Sequence, residues 1–179
     1  MDAIIKDLES VPFSGGDIMH IADGKTKIMT YKDLNNFDSI DSVLHPHGNV
    51  VLLYETRPNY GHWVCLLKHI SDNGRPYLEF FDSYGMAPDQ QLSFIKSRFR
   101  QENHQDYPIL TELMKQSKYP VIYNKEQLQD DFNDVSTCGR HVSFRLIMRD
   151  RPLADYLRMF NKSKLSPDEI VTYLTAFQE

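Results

Sequence analysis

Cysteine is scarce in this chain: only Cys65 and Cys138 occur among 179 residues. At most one disulfide could form, which excludes the small domains stapled together by several bridges. Long apolar runs are missing as well. No stretch approaches the roughly 20 apolar residues that a bilayer-spanning helix requires, so nothing here points to a membrane. Positive charge is in deficit, with 20 Lys and Arg against 25 Asp and Glu and a net charge of −5. Together with a pI near 5.8, that balance argues against a protein that binds nucleic acid through phosphate contacts. Internal repeats, low-complexity tracts and linkers rich in Pro, Gly or Ser are absent too. One domain over residues 1–179 is therefore expected. The opening residues, MDAIIKDLES, lack the basic start and apolar core of a secretory signal. An intracellular protein with reduced thiols is the expectation.

What is present fits a globular domain. Apolar residues make up 41% and charged residues 25%, within the usual range for a chain that buries a full core. PFSGGD reads as a turn cluster, and Thr30 with Asp33 forms a capping-box pattern that predicts a short helix over 31–36. Val50 to Tyr54 is rich in strand formers and is closed by the turn signal RPNYG. His62 to Lys68 is apolar at both alternating positions, as in a central strand covered on two sides. An Asn-Gly hairpin at SDNGRP leads to a third strand over 77–82, giving an antiparallel meander, and residues 119–123 predict a fourth strand.

Helices are expected around this sheet. Leu92, Ile95 and Phe99 recur at helical spacing after Pro88. The segment after Cys138 carries Val142 and Leu146, with Phe144, Ile147 and Met148 widening its apolar surface. Ser166-Pro167-Asp168-Glu169 is a helix start, and Ile170, Leu174 and Phe177 predict the buried stripe of the last helix. The class is α+β.

Three short segments, GHWVCLL, FFDSYG and STCGRHV, hold a combination of side chains with chemical meaning. His62 opens the central strand. Asp82 ends the neighbouring one, and antiparallel strands joined by a hairpin bring such positions together. The carboxylate can then hold one imidazole nitrogen and fix the tautomer, as the third member of a catalytic triad does. Cys138 stands where a Ser-Thr stretch meets a helical segment. A helix N-terminus offers the positive end of the macrodipole and unpaired N–H groups, both favourable to a thiolate. Gly139, without a side chain, would admit a substrate backbone. The Cys138 N–H is then a natural oxyanion donor, with the side-chain amide of Gln129 as its partner.

Taken singly, each of these residues has an ordinary structural explanation: a polar strand residue, a turn former, a small buried hydrophobe. A zinc site is a rival, since His62 with Cys65 reads H-x2-C and Cys138 with His141 reads C-x2-H. Residues three apart in a strand face opposite ways, so His62 and Cys65 should not share a metal. No metal site is therefore expected. Cys65 reads as core and His141 as a residue in or near the cleft wall. Trp63 has two readings, core packing or a cleft wall passing only small substrate residues. Ser14-Gly15-Gly16-Asp17 reads as a turn, with a self-cleavage site as the alternative.

The ordered set GHW, FFDSYG, LQ and TCGRHV resembles the clan of the adenovirus protease and the SUMO proteases. It looks most like the versions in virophages, polinton-like elements and large DNA viruses of eukaryotes. In that clan a His-Trp pair carries the base, an acidic residue or Asn follows one hairpin later, and a Gln precedes Cys-Gly. Those positions fall here on His62-Trp63, Asp82, Gln129 and Cys138-Gly139. The segment SGGDIMHIADGKTKIMTYKDL also looks like what precedes the motifs in large-virus relatives.

The resemblance implies a papain-like fold of the adenain and ubiquitin-like-protease type. A central antiparallel sheet would be flanked by helices, with the nucleophile at the N-terminus of a buried helix. It also implies a monomeric cysteine endopeptidase that cleaves capsid or other virion precursor proteins after small, Gly-rich sequences, in the virion and at cytoplasmic assembly sites. Deconjugation of a ubiquitin-like modifier, or a silent binding module on the same fold, are the alternatives. Gln129 lies further from the cysteine than in the adenoviral pattern, which leaves Gln127 open for the same role. The acidic pI does not suit the DNA cofactor of the adenoviral enzyme, and no cofactor is expected. With Cys138 committed and Cys65 in the core, a disulfide-tethered activating peptide is not expected either.

Overall fold

The computed structural model describes residues 2–132 and 134–176. Helix α1 (Asp2–Glu9) and helix α2 (Gly15–Ile21) come first, then strand β1 (Ile28–Thr30), a 3-10 turn (Tyr31–Asn36) and helix α3 (Ile40–Leu44). Strands β2 (Asn49–Arg57), β3 (Tyr60–Ile70) and β4 (Pro76–Phe81) form the predicted meander. A second 3-10 turn (Gln90–Phe94), α4 (Ser97–Glu102), α5 (Ile109–Ser117) and β5 (Val121–Tyr123) follow. Helices α6 (Cys138–Ile147), α7 (Leu153–Phe160) and α8 (Pro167–Ala176) complete the described chain.

Among the described residues the strands make one five-stranded sheet in the order β1-β2-β3-β4-β5. Its centre is antiparallel, as expected, but β1 joins β2 and β5 joins β4 in parallel. The sheet is therefore mixed. β3 is its central strand, in keeping with the two-faced apolar pattern of HWVCLLK. Alternation divides the core: Val50, Leu52, Tyr54, Val64 and Leu66 face one cluster with α3 and α5. Val51, Cys65, Leu67 and Phe81 face the other, with α6, α7 and α8.

Four local expectations change. The SGGD segment is the start of α2, because Ser14 and Asp17 cap its first turn reciprocally, with Asp17 N–H on Ser14 Oγ at 3.2 Å and Ser14 N–H on Asp17 Oδ2 at 2.7 Å. The helix expected after Pro88 is broken into the Gln90–Phe94 turn and α4, although Leu92 and Ile95 are buried as anticipated. In α8 the buried residues are Asp168, Val171, Thr172 and Thr175, while Leu174 is exposed; Phe177 lies outside the described residues. The reason is that α8 packs on α6, whose Arg140 and His141 need polar partners, and Thr175 and Asp168 supply them. Finally, α6 is buried on every side from Cys138 to Leu146, more completely than the expected apolar surface implies, while Ile147, expected to widen that surface, is exposed.

One buried ion pair ties α6 to the sheet. The Arg145 guanidinium donates to both oxygens of Glu79 on β4, at 2.6 and 2.8 Å, and its remaining N–H groups reach the carbonyls of Met148 and Arg151. His69 on β3 contacts the same carboxylate at 2.8 Å.

Candidate active site

The site forms where the start of β3, the end of β4 and the N-terminus of α6 converge. Gly61 controls the approach to the first of these. A β-carbon there would stand 1.9 Å from the Tyr54 carbonyl oxygen, so only glycine lets the β2–β3 ladder close through its bulge at Glu55–Arg57. His62 follows and is buried.

The last residue pair of the β3–β4 ladder is Cys65 with Phe81, which leaves Asp82 just beyond the ladder and beside His62. The His62 Nε2–H donates to Asp82 Oδ1 at 2.8 Å. The same oxygen accepts the Tyr84 N–H at 2.8 Å, and the Tyr84 ring stacks on the imidazole at 4.7 Å between centroids. Asn124 clamps the Asp82 backbone, accepting its N–H at 3.1 Å and donating to its carbonyl at 2.6 Å. Asp82 is thus fixed at both its main chain and its carboxylate.

With Nε2 committed to Asp82, the other ring nitrogen is left free, and Cys138 lines the same cleft. Burial alone would favour the neutral imidazole. The Asp82 charge, its hydrogen bond and the contact with Cys138 outweigh it and raise the His62 pKa to about 10. Cys138 is the first residue of α6, where backbone N–H groups have no acceptor within the helix. Cys65 contrasts with it, since full burial pushes that thiol pKa upward and leaves an unreactive core residue.

Gln129 enters the same cleft, a space of about 780 Å³ also lined by His62, Trp63, Tyr84 and Cys138. Its amide oxygen accepts the Ser83 hydroxyl at 2.7 Å, and the Ser83 carbonyl accepts the N–H groups of Leu128 and Gln129. Held in that way, the amide has its oxygen engaged and its NH2 left to donate. Gln127 is exposed and donates to the Gln129 carbonyl at 2.9 Å. It braces Gln129 from outside the cleft.

The two expected substrate contacts fare differently. Trp63 is half-buried and serves both readings, packing against the α6 side of the core while lining the cleft. Its indole N–H is engaged, donating to the Phe13 carbonyl at 2.9 Å. Gly139 is not among the residues lining the cleft. A β-carbon on it would meet Phe13 Cβ at 2.6 Å, so its missing side chain accommodates the chain's own N-terminal segment. His141 lies behind the cleft wall, fully buried and paired with Asp168 at 2.9 Å.

Sequence reasoning missed Ser83, Tyr84, Asn124 and Asp168. The first two sit in the DSYG turn beside Asp82 and could have been found by asking what holds the triad. The other two are remote in sequence and carried no signal.

No family model matches the chain. Among solved structures, it is similar to the selenomethionine crystal structure of the ASFV pS273R protease, with a TM-score of 0.54 and 14% identity over 95% of this chain and 68% of that one. A second crystal structure of that protease gives the same TM-score at 12% identity and the same coverage. The α+β fold with its mixed central sheet is therefore the fold of that viral protease. In sequence, it is 38% identical over 175 residues to the uncharacterized protein V9 of Sputnik virophage, covering 96% of this chain and 98% of that protein. On that likeness, the chain belongs to the family of the virophage V9 protein.

Proposed function

We propose that the chain is a viral cysteine endopeptidase with Cys138 as nucleophile, His62 as base and Asp82 as the residue that orients it. The observation that carries this reading is the Asp82–His62 hydrogen bond in a cleft that His62 lines together with Cys138, the first residue of α6. The fold shared with the pS273R protease supports it.

In the proposed reaction the Cys138 sulfur attacks the scissile carbonyl carbon and the carbonyl π pair moves onto oxygen. The Cys138 N–H and the Gln129 amide hold that oxyanion. His62, carrying the thiol proton, passes it to the leaving amine as the C–N bond breaks. Water, deprotonated by His62, then attacks the thioester, and the thiol leaves as Cys138 is regenerated. Substrates on this reading are capsid or other virion precursor proteins, cut after small Gly-containing sequences in the virion or at its assembly site. The V9 relative of virophage origin supports that setting.

The test is labelling with iodoacetamide across pH, with mass spectrometry to locate the modified thiol. Fast labelling of Cys138 at neutral pH, lost in His62→Ala and absent at Cys65, is expected. Equal slow labelling of both thiols would overturn the mechanism. Gly-Gly-containing peptides from virion precursors should be cleaved by the parent chain and left intact by Cys138→Ala.

A further inference from the structure

Behind the cleft, a buried carboxylate touches the neighbours of both groups that would hold the oxyanion. Asp168 is the second residue of α8 and only 2% exposed. Its Oδ2 accepts the N–H of Asp130, the residue after Gln129, at 2.9 Å. Its Oδ1 accepts the Thr137 hydroxyl, one residue before Cys138, and faces His141 Nε2 at 2.9 Å, one turn into α6.

We propose that Asp168 is a positioning residue that sets the spacing between the Gln129 amide and the Cys138 N–H, an inference resting on the protease reading above. Between β5 and α6 the described chain has neither helix nor strand. Its shape there depends on tertiary tethers. Ser83 holds Gln129 from the sheet side, and Asp168 holds the far side of the same segment together with the residue preceding the nucleophile.

A helix-capping role does not account for this side chain. Ser166 and Glu169 already cap α8, with reciprocal bonds of 3.1 and 2.8 Å. A first-turn acid serving the helix dipole has no need to be buried. Burial works against the Asp168 charge, yet the bonds from His141, Thr137 and Asp130 hold its carboxyl below the ordinary carboxylate range. It therefore stays ionised and accepts at both oxygens.

The test compares the full chain with Asp168→Asn, Thr137→Val and Thr137→Ser using two probes. Iodoacetamide reads the nucleophile alone, because the sulfur displaces iodide and no oxyanion forms. N-acetyl-glycyl-glycinal reads the pocket as well. The Cys138 sulfur bonds its carbonyl carbon, the π pair moves onto oxygen, and that oxygen, lying in the pocket, takes up the thiol proton.

Asp168→Asn and Thr137→Val should alkylate Cys138 within about threefold of the parent while aldehyde affinity falls roughly 10- to 100-fold, somewhat less than loss of a whole oxyanion donor. Thr137→Ser keeps the hydroxyl and should restore affinity to within about threefold. Unchanged aldehyde affinity in a folded variant overturns the proposal, and so does alkylation that falls in step with it. If circular dichroism shows Asp168→Asn unfolded, Thr137→Val decides. Selective labelling of the parent without an aldehyde adduct would remove the pocket and this inference, leaving the Cys138–His62 pair standing. Absence of selective labelling in the parent would overturn the protease reading itself.

Discussion

His62 carries the largest electrostatic consequence of the site. Its folded pKa of about 10 lies above the ordinary 6.5, so the charged ring and Asp82 stabilise the fold fully below pH 6.5. That contribution is lost as pH rises through 10. Chemical denaturation of the parent and His62→Gln should therefore show a stability gap that narrows from neutral pH to about pH 10. A gap that widens with pH would contradict the assignment. In the proposed mechanism His62 is the donor to the leaving amine and is lost over the same range, so peptide cleavage should have its alkaline limb near pH 10. Gln129→Ala should lower kcat by about 10²- to 10³-fold with little change in iodoacetamide labelling of Cys138. Ser83→Ala, which frees the amide without removing it, should have a smaller effect in the same direction.

At the scale of elements, the bond between α6 and β4 matters most. Arg145 and Glu79 are both buried in a region that otherwise packs Phe81, Phe144 and Tyr156. Arg145→Met leaves the Glu79 charge without its main partner and should cost about 3–5 kcal/mol in urea unfolding. The double change with Glu79→Leu should recover much of that loss, and recovery of none would show that the pair acts through packing alone. Gly61→Ala is expected to prevent normal closure of the β2–β3 ladder, because a methyl group cannot stand 1.9 Å from a carbonyl oxygen. A drop in melting temperature accompanied by slower Cys138 labelling would record the displaced His62.

The whole molecule places its candidate chemistry between two bodies of packing. The sheet supplies His62 and Asp82, and the helical side supplies Cys138. The N-terminal segment bridges the helical side. Helices α1 and α8 are in contact, the Ser136 N–H donates to the Glu9 carbonyl at 2.7 Å, and the Arg140 guanidinium lies 4.2 Å from the Phe13 ring centroid. Deleting residues 1–13 should lower the melting temperature and slow Cys138 labelling, since Trp63, Gly139 and Ser136 all lose a partner. Unchanged labelling would show that the segment is dispensable to the site. By contrast, Cys138→Ala should leave the melting temperature within a few degrees of the parent, because the volume change is small.

Much of this arrangement was legible in the sequence because it is local or one hairpin away. The alternating apolar run of β3, the Asn-Gly turn at Gly74 and the capping pattern of Thr30 and Asp33 each express a short-range preference that the fold honours. The His62–Asp82 contact is anticipated by the hairpin, although the ladder ends at Cys65 with Phe81, and Asp82 reaches His62 from just beyond it. The glycines at 15 and 16 read as a turn because their flexibility is visible in sequence, although Ser14 and Asp17 carry the same local capping spacing as Thr30 and Asp33 and start α2 with it. Strand β5 falls within the strand expected over 119–123, but its parallel pairing and the whole of β1 were harder to read. Each is three residues long, and its parallel pairing is set by a strand that is not its hairpin neighbour.

Sequence by itself determined which residues could do chemistry and their order on a meander and a helix start, because propensity and period act over a few residues. Tertiary structure decided which of them meet and what holds them. It turned the polar face of α8 inward, since a buried helix carrying Arg140 and His141 must find acceptors. It filled the space over Gly139 with Phe13 and brought Ser83 and Asp168 to either side of the segment carrying Gln129. Those outcomes depend on satisfying buried polar groups across long sequence separations, and no local pattern encodes such partners.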